Sequence, residues 1–317
     1  MRGEPSTNWR ETIAPDEEAR FARQAQKLGP AHAALSARYG AGRQLHRKPV
    51  LAARGTLAIL DGLPDYARHG LFAAPRIFEA LVRFSNGGAT VEPNGKPDIR
   101  GVAIKALGVA GPAALGGEAE TQDFLLVNQT NFGARDSDEF VDVVADASRG
   151  QAAVLVGLVR RHGLAGGFRR IRRLIAKVGR PFAGFAAETF DSLAAIAVGP
   201  YAARVRLTPV APTPAGKRDF ADDLRDRIAA GPLAYELALQ FFVDQATTPI
   251  EDPTADWPLD RAPPLVVARL ALTAVEADVE RLRFDPWGGL AAHRPLGEIM
   301  RARKAAYFHS QKARGAL

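Results

Sequence analysis

The 317-residue sequence contains no cysteine, which excludes disulfide bonds and thiolate chemistry. It also lacks an uninterrupted apolar run of the ~18–20 residues that a membrane-spanning helix requires. Residues 1–16 are polar and contain proline, without the hydrophobic stretch of a secretory signal. These absences predict a soluble, cytoplasmic protein, and a hydrophobic content of 47% is enough for a large core.

Acidic residues are missing from the stretch 160–180, although the whole chain carries a net charge of only +7. Apolar residues interleave with its arginines at roughly helical spacing, broken at Gly163 and at Gly166-Gly167. The simplest interpretation is a solvated helical face. A surface for anionic lipid or for a carboxylate-bearing substrate is the alternative, so transient membrane-surface contact through 160–180 stays open. We expect no nucleic-acid partner, because no binding motif is present and aromatics are few.

Strand-like segments occupy the centre of the chain, with helical segments before, between and after them. The predicted strands are 56–60, 80–84, 102–107, 123–128, 204–208, 235–243 and 267–273. The predicted helices are 16–28, ended by Gly29-Pro30, 137–147 with Ser137 as N-cap, 219–229 and 296–310. About eight antiparallel strands with helices around them predict an α+β fold built on a closed barrel.

Arg303 and Tyr307 are four residues apart in the last predicted helix, so their side chains share one face. A free tyrosine has a pKa near ~10, but a ferric ion and a neighbouring arginine would hold it as phenolate. Tyrosinate is one of the few protein ligands of haem iron. Such a pair is common on protein surfaces, so its meaning depends on the rest of the chain.

Upstream segments supply side chains suited to cleaving a peroxide O–O bond on iron. The imidazole of His46 and the hydroxyl of Ser85 each follow shortly after an arginine, and the amide of Asn128 ends an apolar strand. In chain order, the short matching segments are 43–46, 82–85, 98–105, Asn128 with Arg135-Asp136, 248–258 and 284–286. Together they resemble the haem catalase superfamily in its short, catalase-related form, from about Arg43 to Arg314.

This resemblance implies a catalase-like eight-stranded antiparallel β-barrel with surrounding helices and a b-type haem between barrel and helices. It divides the chain into an N-terminal helical segment, 1–40, and a haem-binding domain, 41–317. Tyr307 would ligate the iron and Arg303 would keep it anionic. His46 would act as distal acid–base group, Ser85 would orient it and Asn128 would hold the peroxide. The remaining cofactor contacts would be Phe140 on the porphyrin and, at the propionates, Arg43, Arg83 and Arg314.

The departures from true catalases shape the expected activity. Gly133 lies where an aromatic residue would flank the distal pocket, which predicts a wider cavity. No histidine near 204–209 matches the one that backs the ligand's arginine in true catalases. We therefore expect a peroxidase with weak catalase activity, acting on hydrogen peroxide or lipid-like hydroperoxides. A fatty-acid hydroperoxide isomerase or lyase is the alternative, although Leu45 replaces the threonine of those relatives. A non-catalytic haem-binding protein is the third, and a homo-oligomer stays open.

Overall fold

The computed structural model of the chain describes residues 3–216, 219–277, 280 and 282–304. Within these ranges, one antiparallel sheet contains nine strands. They are β1 Pro49–Ile59, β2 Ile77–Asn86, β3 Arg100–Leu107, β4 Thr121–Val127, β5 Phe190–Asp191, β6 Ile196–Val198, β7 Tyr201–Pro209, β8 Leu233–Phe241 and β9 Leu265–Glu276. The short strands β5 and β6 have too few residues to show a periodic pattern, and the sequence did not predict them.

The sheet closes on itself. Its order is β5-β4-β3-β2-β1-β9-β8-β7-β6, and β5 also pairs with β7. Eight strands therefore form a ring, and β6 is a hairpin partner outside it. In β8 the apolar residues alternate: Tyr235, Leu237 and Leu239 are fully buried because they point into the barrel. The prediction of a closed eight-stranded antiparallel barrel is confirmed.

Helices pack outside the barrel. They are α1 Glu17–Tyr39, α2 Ser137–Ala147, α3 Gln151–Val178, α4 Phe220–Ala230 and a last helical segment, α5, at 298–304. Leu28 of α1 packs against Val141 and Val144 of α2. No helix in the described ranges is long and apolar enough to cross a membrane.

Three local predictions about the helices were wrong. Helix α1 does not end at Gly29-Pro30 but continues through Pro30 to Tyr39, because Leu35 in the added part is also buried. The N-cap of α2 is Asp136, whose carboxylate accepts from the N–H of Glu139 at 2.8 Å. Helix α3 is interrupted only at Gly163, where φ is 69°, and continues through the two glycines that follow.

Candidate functional site

His46 lies in the loop between α1 and β1 with a φ of 51°, a left-handed conformation that non-glycine residues seldom adopt. Its N–H donates to the carbonyl of Gly87 at 3.0 Å, which ties the loop to the end of β2. Its ring Nδ1 lies 3.1 Å from Oγ of the buried Ser85. The structure therefore brings the predicted distal histidine and its predicted orienting serine together.

The imidazole of His46 packs directly on Gly101 of β3. A Cβ at Gly101 would come within 2.5 Å of His46 Nδ1 and within 3.0 Å of Ser85 Oγ. Gly101 lies directly opposite Ser85 in the β2–β3 register, so both support the same ring. Sequence reasoning gave Gly101 no role of its own, although a glycine inside an apolar strand is a sign of close approach.

Two arginines predicted to bind haem propionates converge on one carboxylate, that of Glu280. Arg43 Nη1 lies 2.6 Å from Glu280 Oε2, and Arg83 Nε lies 2.5 Å from Glu280 Oε1. The side chain of Arg83 is only 3% exposed and that of Arg43 is 12% exposed. A pair of guanidinium groups this close together is a ready-made carboxylate site. Glu280 was missed, because no pattern in the sequence points to it.

Burial, together with the positive charges of Arg83, Arg303 and Arg43, lowers the pKa of His46 to about 3. Three arginines predicted from separate parts of the sequence therefore act on the same imidazole. At neutral pH His46 is uncharged and free to accept a proton.

Arg303 lies above two aromatic rings at the helical side of the site. Its guanidinium carbon is 5.9 Å from the ring centroids of both Phe132 and Phe140. The two rings are 6.0 Å apart in an edge-to-face arrangement. Phe140 and Leu45, the neighbour of His46, both pack against the apolar cluster between α1 and α2. Tyr307 and Arg314 lie outside the described residues, so their roles stay predictions.

Asn128 forms its described contacts with the barrel wall. Its Oδ1 accepts from the N–H of Arg100 at 2.7 Å, and its Nδ2 lies 3.4 Å from Glu188 Oε2. The N–H of Asn128 donates to the carbonyl of Arg100. Asn128 therefore lies beside Arg100, one residue along β3 from Gly101, which pairs with Ser85. A contact of the amide with a peroxide remains a prediction.

The predicted segment 284–286 is anchored to the barrel by a buried ion pair. Lys105 Nζ lies 2.5 Å from Asp123 Oδ1, and the N–H of Asp285 donates to Asp123 Oδ2 at 2.8 Å. Burial raises the pKa of Asp123 to about 7, while Lys105 opposes this shift. The guanidinium of Arg43 lies 5.9 Å above Phe284, so this anchor also positions the carboxylate-binding pair.

A separate cavity of about 390 Å³ lies between the start of α2 and the second half of α3. None of the predicted haem-site residues lines it; its lining residues are Arg135, His162, Gly166, Arg169, Arg170 and Arg173. Glu139 lies 2.5 Å from Arg170 Nη1 and so offsets part of its charge. Across the described ranges, no group of three or more His, Cys, Asp or Glu side chains could hold a metal ion.

Comparison with known proteins gives the fold of this chain a name. No family model and no curated protein sequence matches it. Among solved structures, a fungal catalase superposes with a TM-score of 0.70 at 16% identity, covering 99% of this chain and 65% of its own. Catalase A from Saccharomyces cerevisiae gives 0.69 at 13%, covering 100% and 68%. A bacterial catalase gives 0.68 at 16%, covering 98% and 64%.

The chain has the catalase-like fold, and it spans about two thirds of the length of those catalases. The resemblance inferred from short motifs is confirmed at the level of the fold. Identities of 13–16% carry the likeness no further than that.

Proposed function

We propose that this protein is a haem-dependent enzyme that reduces or cleaves peroxides, mainly as a peroxidase with weak catalase activity. The observation that carries the proposal is the placement of the His46 imidazole, whose Nδ1 lies 3.1 Å from Ser85 Oγ and which packs on Gly101. A catalase-like fold supports a peroxide-related function. The choice of peroxidase over catalase rests on the departures in the sequence.

The described residues fit a b-type haem. The carboxylate of Glu280 between Arg43 and Arg83 stands in for a propionate, since it is the same functional group bound by the same donors. Phe140 and Phe132, which pack edge to face, would supply apolar rings for a porphyrin face. Tyr307 would ligate the iron, and the charge of Arg303 would favour its phenolate form.

When bound, haem supplies an iron centre at which a peroxide O–O bond can break. The task of His46 is then to move a proton from one peroxide oxygen to the other. Its Nε2 must be unprotonated to do so, which places the ring proton on Nδ1, where it donates to Ser85 Oγ. Positive charge from Arg83 and Arg43 helps to keep the ring neutral beforehand.

A hydroperoxide isomerase or lyase is the second candidate, and the surroundings of Gly133 favour it. Gly133 is exposed, and a side chain added there would meet no atom within 4 Å. No described side chain therefore narrows the space at this position, which the resemblance places beside the distal pocket. The apolar Leu45 counts against it, because the relatives with that activity have threonine at the matching position.

Product identification separates these activities. The haem-loaded protein is incubated first with hydrogen peroxide and then with a fatty-acid hydroperoxide, each with and without an organic electron donor. Donor-dependent formation of the alcohol and water supports the peroxidase, and a rearranged product without donor consumption supports the isomerase. No reaction with either substrate would leave only a haem-binding protein.

The ligand assignment is tested independently of activity. Tyr307→Phe should lose or weaken haem binding and change the ferric absorption spectrum, because a phenyl ring has no oxygen to coordinate iron. Tyr201→Phe, in the barrel, is the matched control. An unchanged spectrum in Tyr307→Phe would rule out this ligand whatever the activity.

A further inference from the structure

Helix α3 exposes large apolar side chains along its second half. Leu164 is 73% exposed, Phe168 is 68% exposed and Ile175 is 60% exposed. Their spacings of four and seven residues place them on one face of the helix. Val156 in the first half, before the bend at Gly163, is 66% exposed as well. A continuous apolar stripe in water indicates a surface that another body covers.

The basic residues of 160–180 divide into two groups. Arg161, Arg170, Lys177 and Arg180 are engaged within the chain, with Asp146, Glu139, Asn131 and Glu188 respectively. The other group is exposed and forms no ion pair with any described residue: Arg160, Arg169, Arg172 and Arg173. Half of the positive charge therefore has a partner within the chain, and the other half is exposed without one among the described residues, although Arg169 and Arg173 also line the cavity between α2 and α3.

The sequence around helix α3 supplies no acidic residues to compensate the exposed arginines. No Asp or Glu occurs between Asp146 and Glu188. Arg172 follows Phe168 by one helical turn and so borders the apolar stripe. A helix with an exposed apolar stripe and an arginine-rich flank has the composition of helices that lie in the interface of anionic membranes.

We propose that the stripe Leu164, Phe168 and Ile175, with Arg160, Arg169, Arg172 and Arg173, docks the protein on an anionic lipid surface. A second copy of the chain is the less favourable occupant. A two-fold interface through this face would set the same unpaired arginines against each other, and like charges repel. Acidic lipids instead offer opposite charge to the arginines and hydrocarbon to the stripe.

Vesicle flotation tests this proposal on the full-length protein, independently of haem and of any activity. Vesicles of phosphatidylcholine are compared with vesicles that also contain phosphatidylglycerol, at low and high salt. We expect binding to the acidic vesicles alone, weakened by salt because screening shortens the reach of the charges to about 3 Å at 1 M.

Two variants separate the contributions. Arg169→Gln/Arg172→Gln/Arg173→Gln should weaken partitioning by about tenfold or more. Leu164→Ser/Phe168→Ser should weaken it by a similar factor, because serine contributes no apolar surface to the interface. The control Arg54→Gln/Arg68→Gln/Arg269→Gln removes the same charge from other exposed positions and should bind like the parent.

Three results would overturn the proposal. These are equal binding to neutral and acidic vesicles, equal loss in the control variant, or no binding at low salt. Light scattering tests the alternative occupant, a second copy of the chain. A dimer that Leu164→Ser/Phe168→Ser disperses, without any vesicle binding, would assign the stripe to a second copy of the chain.

Discussion

The two walls of the candidate site are built in different ways. On the barrel wall, His46 is held by Ser85 and Gly101, whose positions follow from the register of β2 and β3. On the helical wall, Phe140 and Arg303 are held by ring and cation contacts between side chains. A strand register leaves little freedom, whereas side-chain contacts adjust. The group that has to move a proton is therefore on the wall that permits the smallest displacement.

The largest effect should come from the barrel wall. His46→Ala in the haem-loaded protein should reduce peroxide turnover by about 10²–10⁴-fold while haem remains bound. Stopped-flow reaction with hydrogen peroxide measures the loss. Ser85→Ala should cost only about tenfold, because it removes one orienting hydrogen bond. His69→Ala, elsewhere on the molecule, is the control, and a parent-like rate in His46→Ala would exclude its role as base.

Gly101→Ala tests whether the register positions the ring. The added Cβ would lie 2.5 Å from His46 Nδ1, so the imidazole has to move. We expect about a 10²-fold loss of turnover with an almost unchanged melting temperature. Gly29→Ala, in α1, is the matched control, because its Cβ meets open space. If both variants reacted like the parent, the barrel wall would not control the position of His46.

Acid should expose the energetic cost of burying His46. In the unfolded chain its pKa is near 6.5, but in the folded chain burial lowers it to about 3. Between these values the unfolded state binds the additional proton, so stability is complete above pH 6.5 and falls as pH decreases toward 3. The ring is only half-buried, so the loss of stability should be smaller than the full pKa difference would give. We expect it to be on the order of a few kcal/mol at most. Denaturant titrations between pH 6.5 and 3 should show this loss of unfolding free energy in the parent and not in His46→Gln.

The helical wall should tolerate substitution better. Phe140→Leu keeps an apolar side chain but removes a ring that faces Phe132 and Arg303. Haem affinity should fall only a few-fold, since such ring contacts contribute about 0.5–1.5 kcal/mol. Haem transfer to an acceptor protein measures this, with Phe21→Leu as control. A loss of peroxide turnover as large as that in His46→Ala would remove the distinction between the walls.

Local patterns in the sequence predicted most of the fold. Strand-like apolar segments located seven strands of the barrel, and acidic residues in the first turn helped to locate α2, since both patterns depend on neighbours in the chain. The helix end at Pro30 was misplaced because burial of Leu35 outweighs the hydrogen bond that proline cannot make. The short strands β5 and β6 were missed because pairing, not composition, defines them.

The sequence by itself determined the chemistry available: an imidazole, a hydroxyl and several guanidinium groups, with no thiol. Tertiary structure alone decided which of them meet. Arg43 and Arg83 are 40 positions apart and converge on Glu280 because strand pairing brings distant segments together. Folding also decided that half of the 160–180 cations pair with acids or an amide of the same chain, while the other half form no ion pair with a described residue. Contact across long sequence separations depends on the closed barrel, which no local pattern encodes.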